Sequence, residues 1–255
     1  QRTVPKDLTL VDSVHDVEFY YLRPRDIAVY VGEGHLDVGI TGRDMLFDSG
    51  ARATEILPLG FGGSRFRFAA PAGRFHDVAD LVGKRIATSY PGLLGRWLEE
   101  QGIEAALVKL DGAVESAVRL GVADVVADVV DTGTTLQRAG LEVFGEPICT
   151  SEAILIRRDE DNEPEGLAPL RTRLESVLVA QNYLMMDYNV AETNLAATTA
   201  LASGVNGPTV SRLAEPGWMA VRVLVPRRGV HLLMDRLFEA GARGIILTEL
   251  SAVRL

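Results

Sequence analysis

The sequence is poor in cysteine and in positive charge, and it has no long apolar run. Cys149 is the only cysteine among 255 residues, so it allows neither an intrachain disulfide nor a cysteine-based zinc site, and we expect a reducing, cytoplasmic setting. No apolar stretch approaches the ~20 residues of a membrane-spanning helix. The formal charge of -9, from 26 basic and 35 acidic residues, argues against broad binding of nucleic acid or anionic membranes. The net charge does not exclude a local basic pocket for a phosphorylated small molecule.

Several catalytic signatures are also missing. The sequence has no GxSxG, HExxH or Walker motif, which leaves serine hydrolases, zincins and P-loop NTPases without support. The four histidines lack the spacing of a metal site or a catalytic triad, and we interpret all of them as surface residues. Because the sequence opens at Gln1 rather than at methionine, we expect that residues ahead of it are missing.

What is present is an α/β pattern. Apolar residues make up 47% and charged residues 24% of the chain, which is typical of a globular protein. Between residues 85 and 140, short apolar strands alternate with helices that end at glycine, and this rhythm predicts βαβ units and a parallel sheet. From Tyr183 the order changes to βαββαβ, which predicts a separate ferredoxin-like domain.

The run Ala127–Leu136 (Ala-Asp-Val-Val-Asp-Thr-Gly-Thr-Thr-Leu) lies between a predicted strand and a short helix. Ligands in open α/β sheets collect at the carboxyl ends of strands, and consecutive small residues let backbone N–H groups surround an anion. The carboxylates of Asp128 and Asp131 suit ribose hydroxyls rather than phosphate, so the run fits a 5-phosphoribosyl group. The alternative is an ordinary strand-turn-helix in which a threonine is the N-cap.

Other strand ends carry weaker candidates, each with a structural alternative. Glu115 follows the turn Asp111–Val114, and a carboxylate in the first turn of a helix is usually there for the helix dipole. Tyr90, after Thr88 and Ser89, can stack on a base or simply pack in the core. Arg23 can bind phosphate or be a surface charge. Asp44 is a ligand or an N-cap.

Together these stretches resemble the ATP phosphoribosyltransferase family over essentially the whole chain. The matching segments are residues 22–27 (Leu-Arg-Pro-Arg-Asp-Ile), 37–44 (Asp-Val-Gly-Ile-Thr-Gly-Arg-Asp), 85–91, 110–115, 123–136, 151–153, 182–188, 207–209 and 225–228. The resemblance implies two α/β lobes like those of periplasmic binding proteins, with a catalytic cleft between them. It also implies a strand, a Lys/Gly-containing loop and a helix ahead of residue 1.

The resemblance implies that N1 of ATP attacks C1 of phosphoribosyl pyrophosphate, with Mg²⁺ present and pyrophosphate leaving. By similarity, Glu115 and Asp128 are the catalytic residues. The residues implied to bind phosphoribosyl pyrophosphate are Asp128, Asp131, Thr132, Gly133, Thr134 and Thr135. Those implied to bind ATP are Arg23, Gly42, Asp44, Met45, Thr88, Tyr90 and Glu115. No metal ligands are assigned.

The C-terminal domain resembles that of the long form of the family, which binds histidine as a feedback inhibitor. Asn189, Val205 and Thr209 match positions near the histidine pocket. Members are dimers that assemble into hexamers, so we expect a homo-oligomer. The alternative is that this domain provides only an oligomer interface.

We therefore expect a long-form ATP phosphoribosyltransferase of histidine biosynthesis. The expected domains are lobe I (1–64 with 155–182), lobe II (65–154) and a regulatory domain (183–255). Two rivals remain: a two-lobe protein that binds a small anion without chemistry, and a phosphoribosyltransferase for another base.

Overall fold

The computed structural model describes residues 8–130, 134–159 and 163–255. The chain forms two compact units, the first ending at Pro164 and the second beginning at Glu165. Within the described residues, the first unit contains two sheets with helices packed against them and a separate two-stranded hairpin, and the second unit contains one sheet. The predicted fold class, two α/β lobes and a C-terminal βαββαβ domain, is confirmed.

Lobe I is a three-stranded antiparallel sheet in the order β3-β10-β4, with two helices packed against it. A hydrophobic cluster that includes Ala28, Val31 and Ile154 joins the helices to the central strand. A separate hairpin, β1–β2, precedes them. The elements are β1 (Thr9–Asp12), β2 (Val17–Tyr20), α1 (Pro24–Gly32), β3 (Val38–Gly42), α2 (Arg43–Ser49), β4 (Ala53–Pro58) and β10 (Ala153–Arg158).

Lobe II is a five-stranded sheet in the order β7-β6-β8-β5-β9. The predicted parallel pairing holds only for β6, β7 and β8. Strand β5 pairs antiparallel with both of its neighbours, β8 and β9, so the sheet is mixed. The elements are β5 (Ser64–Pro71), a 3₁₀ helix (Val78–Leu81), β6 (Arg85–Thr88), α3 (Pro91–Gln101), β7 (Ala106–Lys109), α4 (Ser116–Arg119), β8 (Val125–Val130), α5 (Thr134–Arg138) and β9 (Leu141–Ser151).

Two antiparallel segments connect the lobes. The chain passes from β4 to β5 through residues 59–63 and returns from β9 to β10 at Glu152. The two segments hydrogen bond through Leu59 N to Ala153 O and Ala153 N to Phe61 O, both at 2.9 Å. Strands β1, β4, β9 and β10 were not predicted. Because β10 begins at Ala153, this residue lies in the sheet of lobe I and not in that of lobe II.

The second unit confirms the predicted βαββαβ order in an antiparallel sheet, β12-β13-β11-β14. Alternate residues of β11, including Met186 and Tyr188, are buried with the two following helices. The unit also contains α6, which the predicted boundary at residue 183 leaves outside. Its elements are α6 (Leu167–Asn182), β11 (Tyr183–Ala191), a 3₁₀ helix (Glu192–Asn194), α7 (Leu195–Leu201), β12 (Thr209–Arg212), β13 (Trp218–Pro226), α8 (Val230–Glu239) and β14 (Arg243–Thr248). Among the described residues, no helix is long and apolar enough to cross a membrane.

Candidate active site

Side chains from both lobes of the first unit meet around Tyr90. Burial is the largest cause that raises the pKa of Tyr90, and the negative charges of Asp44 and Asp128 raise it further. Asp44 belongs to α2 of lobe I and Asp128 to β8 of lobe II. The structure therefore brings three sequence-predicted site residues, from three separate strand ends, within electrostatic reach of one another.

Asp128 lies half-buried on β8, close to Glu115. Its Oδ1 accepts the N–H of Val129 at 2.8 Å. Burial raises the pKa of Asp128, the hydrogen bond lowers it, and the negative charge of Glu115 raises it. Glu115 precedes α4 and makes no capping hydrogen bond through its side chain. The loop before it is tightly wound, with φ +48° at Ala113, so this carboxylate is held by a strained turn rather than by helix capping.

Asp44 is buried and held by Ser151, the last residue of β9. Ser151 Oγ accepts the backbone N–H of Asp44 at 3.0 Å and donates to Asp44 Oδ1 at 2.7 Å. Asp44 lies in the first turn of α2, whose N-cap residue is Gly42. A Cβ on Gly42 would collide with the carboxylate of Asp44, so a larger residue there would displace that side chain from Ser151. Met45 packs against the lobe II core cluster that contains Tyr90.

The Tyr90 ring itself packs in the core. Only 7% of the residue is exposed. The ring of Phe66 meets it edge-on at 5.2 Å, and the guanidinium carbon of Arg25 lies 5.2 Å from the ring centroid. Thr88 is fully buried, and its Oγ accepts the N–H of Tyr90 at 3.0 Å. Of the two predicted roles for the ring, packing is the one that this geometry favours.

Within the described residues, Arg23 makes no contact with this cluster. It is the exposed N-cap residue of α1, and its side chain makes no capping hydrogen bond. The arginine two positions later reaches the cluster instead. Arg25 donates to Asp48 Oδ2 at 2.9 Å and to the carbonyl of Ser89 at 2.8 Å. The Arg-Pro-Arg run marked this segment, but nothing in it distinguished the two arginines.

The predicted phosphoribosyl loop is described only in part. Asp131, Thr132 and Gly133 lie outside the described residues. Thr134 and Thr135 begin α5, the next helix after β8 in the sequence, and are exposed to solvent.

Sequence reasoning missed an ion-pair network at the crossover. Arg43 forms a bidentate pair with Glu55, with Nε to Oε2 at 2.8 Å and Nη2 to Oε1 at 2.7 Å, and it also reaches Glu152 Oε1 at 3.1 Å. Glu152 Oε2 in turn accepts the N–H of Gly60 at 2.9 Å. Arg43 lowers the pKa of Glu55, mainly through this hydrogen bond. The network joins α2, β4 and both crossover segments.

In the described ranges, no group of three or more histidine, cysteine or acidic residues is placed to hold a metal ion. Asp128 and Glu115 are two carboxylates of the cluster that interact, since the negative charge of Glu115 raises the pKa of Asp128. Mg²⁺ is commonly bound by one or two carboxylates together with substrate phosphates, so this pair fits such an ion.

Two of the three predicted effector residues share one face of the C-terminal sheet. Thr209 pairs with Arg222, which pairs with Asp187 on β11, and Asn189 lies two residues further along β11. Directly opposed residues and alternate residues share a face. Arg222 Nε donates to Asp187 Oδ1 at 2.8 Å on this exposed face. Val205 is exposed in the loop between α7 and β12.

Two family models match the chain in succession. Residues 23–176 match the model described as ATP phosphoribosyltransferase, and residues 180–252 match the model of the C-terminal domain of the same family. The chain belongs to the ATP phosphoribosyltransferase family. It is therefore a transferase of the first step of histidine biosynthesis, and the rival of a protein without chemistry loses its support.

Relatives within this family extend over the whole chain. ATP phosphoribosyltransferases of Kocuria rhizophila and Salinispora tropica are 57% and 55% identical, each over 100% of this chain and 91% of the relative. Among solved structures, the ATP phosphoribosyl transferase HisG:HisZ complex from Thermotoga maritima is 28% identical with a TM-score of 0.51. That match covers 56% of this chain and 70% of the other.

Proposed function

We propose that the cluster of Asp44, Tyr90, Glu115 and Asp128 is the site at which phosphoribosyl pyrophosphate and ATP react. The observation that carries this proposal is that carboxylates from two lobes, Asp44 and Asp128, both act on the buried hydroxyl of Tyr90. A site built from both lobes holds two substrates face to face, and alignment of this kind is the main requirement of the reaction.

In the reaction, the lone pair of adenine N1 forms a bond to C1 of the ribose while the bond from C1 to pyrophosphate oxygen breaks. Pyrophosphate leaves with the electron pair. Positive charge develops on the ribose ring as the bond breaks, and nearby carboxylates stabilise it when they are fixed in place beforehand. Asp128 and Glu115 are close enough for the charge of one to raise the pKa of the other. We assign these two residues to the ribose side and Asp44 to the ATP side.

The loop from Asp131 to Thr135 is assigned to the 5-phosphate on the sequence argument. Thr134 and Thr135 begin the helix that follows β8, the strand that contains Asp128. We further infer that Mg²⁺ binds with the pyrophosphate group of the substrate and that Asp128 and Glu115 are the protein carboxylates in its reach. Magnesium supplies positive charge to the leaving pyrophosphate when it is bound.

For the C-terminal unit we propose inhibition by histidine. The exposed sheet face that carries Asn189 and Thr209 also carries the ion pair of Arg222 with Asp187. A free amino acid presents an ammonium and a carboxylate, and this face offers a partner for each charge. We also propose a homo-oligomer, with dimers assembling into hexamers, and a cytoplasmic location.

The activity is tested with the full chain, ATP, phosphoribosyl pyrophosphate and Mg²⁺, following the near-ultraviolet change of N1-substituted adenine. Asp128→Ala is expected to weaken binding of phosphoribosyl pyrophosphate and to lower kcat/KM by about 100-fold or more, as loss of a group that stabilises transition-state charge does. Asp124→Ala is the matched control, because Asp124 precedes β8 at its opposite end and pairs with Arg85. Unchanged affinity for phosphoribosyl pyrophosphate in Asp128→Ala would remove the site assignment.

The same assay with added histidine tests regulation. Histidine is expected to lower the rate at which the unaltered protein forms product. Thr209→Ala is expected to need more histidine for the same inhibition, while its rate without histidine is unchanged. Activity that is indifferent to histidine would reduce the C-terminal unit to an assembly domain. Product formed from another base but not from ATP would favour the second rival.

A further inference from the structure

The turn between β6 and α3 is fixed by side chains from the other lobe. Asp48 lies near the end of α2, and its Oδ1 accepts the N–H groups of Gly92 at 2.9 Å and Leu93 at 3.1 Å. These are first-turn amides of α3, which its own N-cap residue leaves without a side-chain partner. Asp48 therefore caps a helix of lobe II from lobe I.

Arg25 completes this connection from α1. One guanidinium nitrogen donates to the second oxygen of Asp48 and the other to the carbonyl of Ser89. The same guanidinium lies over the ring of Tyr90. Asp48 is nearly buried, with 7% of its side chain exposed. Its carboxylate is thus fully engaged, by two amides through one oxygen and by an arginine through the other.

Gly92 is what permits so close an approach of the two lobes. A Cβ at this position would collide with the backbone oxygen of Asp48. The turn from Thr88 to Gly92 contains Thr88 and Tyr90, which the family resemblance implies for ATP and whose side chains are buried. Its position relative to Asp44 is set by Arg25 and Asp48, which contact the turn from outside.

We propose that Arg25 and Asp48 are positioning residues for ATP, which hold the turn from Thr88 to Gly92 against lobe I so that the Tyr90 hydroxyl stays beside Asp44, the residue that we assign to the ATP side. The inference rests on the proposed function of that cluster. The inference predicts different effects on the two substrates, because the predicted phosphoribosyl loop follows β8 and contains neither Arg25 nor Asp48. A loss of positioning is therefore expected to affect ATP and to spare phosphoribosyl pyrophosphate.

The test compares Arg25→Ala, Arg25→Lys and Arg85→Ala in the full chain. Arg85 is a matched control, because it also pairs with an aspartate, Asp124, and with a backbone carbonyl, that of Gly121, at the other end of β6. Arg25→Ala is expected to raise the KM for ATP about tenfold, as expected for loss of charge-assisted hydrogen bonds. The KM for phosphoribosyl pyrophosphate is expected to change less than twofold. Arg25→Lys keeps the charge and one hydrogen bond, and it should restore most of the affinity.

Calorimetric titration of ATP into the same variants gives a second readout that does not depend on turnover. A protein that binds ATP but forms no product would overturn the proposed function and leave this comparison intact. If Arg25→Ala raised the KM for ATP and the KM for phosphoribosyl pyrophosphate equally and also lowered Tm, Arg25 would have a merely structural role and the inference would be overturned. So would an ATP affinity of Arg25→Ala that matches that of Arg85→Ala.

Discussion

Replacement of Arg43 by methionine tests whether the ion-pair network at the crossover stabilises the first unit. Only 20% of the Arg43 side chain is exposed, and 28% of each of its partners, Glu55 and Glu152. Methionine keeps most of the side-chain volume but leaves both carboxylates without the arginine. Removal of one partner from a fully buried ion pair costs about 3–5 kcal/mol of stability. Because these groups are partly hydrated, we expect a loss of about 2–3 kcal/mol in the free energy of unfolding.

Arg85→Met provides the control for that magnitude. Arg85 makes a similar two-point contact with Asp124, but 47% of its side chain is exposed, and solvent screens the pair. We expect a loss of less than about 1 kcal/mol there. For a protein of this size, 1 kcal/mol corresponds to a shift of about 2–4 °C in Tm. The two variants should therefore differ clearly in one thermal scan.

The assay is denaturant unfolding followed by the fluorescence of Trp97, in a Trp218→Phe background so that only the first unit reports. Because Arg43 lowers the pKa of Glu55, the stabilisation is present above the unfolded pKa of a glutamate, about 4.3, and is lost as the pH falls through the lowered folded value. The difference in the free energy of unfolding between Arg43→Met and the unaltered protein should become smaller at acid pH. Equal losses for the two variants, or a gap of constant size down to pH ~2, would refute this reasoning.

Two further predictions follow from burial and from close backbone contact. Burial raises the pKa of Asp128, so ionisation of this group opposes folding; Asp128→Asn should raise Tm at pH ~7.5 while activity falls, and the gain should vanish below pH ~4, where both side chains are neutral. A thermal scan in which Asp128→Asn is less stable at neutral pH would contradict this. Gly92→Ala should lower the free energy of unfolding by about 1–3 kcal/mol, because its Cβ collides with Asp48. Gly95→Ala in the same helix meets only an ordinary contact with Leu107 and should stabilise by about 0.5–1 kcal/mol, and denaturant titration of both variants checks the opposite signs.

The sequence predicted most elements whose pattern is local. The alternation of strands and helices located β6, β7, β8 and the helices between them, and periodicity located the βαββαβ unit. Strand β9 was missed because Gly145 and Pro147 interrupt it and are typical of a turn. In the structure β9 continues through them with a shift of register against β5, between Phe66 and Phe68. That adjustment depends on pairing with a distant strand, which no local pattern contains.

The residues of the candidate site also fall into those that a local sequence pattern predicted and those that it missed. Asp44, Tyr90 and Asp128 were predicted because each lies at or just beyond the end of a predicted strand, where ligands collect in α/β sheets. Arg25 and Arg43 were missed because their contacts come from the packing of the lobes. Arg43 reaches Glu152, which is 109 residues away in sequence. Residue type and spacing carry no sign of such a contact.

The position of β10 has a consequence for the order in which the first unit folds during synthesis. β10 is the central strand of the lobe I sheet, yet it is the last strand of that unit to leave the ribosome. Strands β3 and β4 pair with β10 and not with each other, so their hydrogen bonds wait until the whole of lobe II has been made. Lobe II can complete its sheet once β9 emerges. In the nascent chain, the lobe I sheet therefore stays incomplete until lobe II has folded, and the part of the site that contains Asp44 forms last.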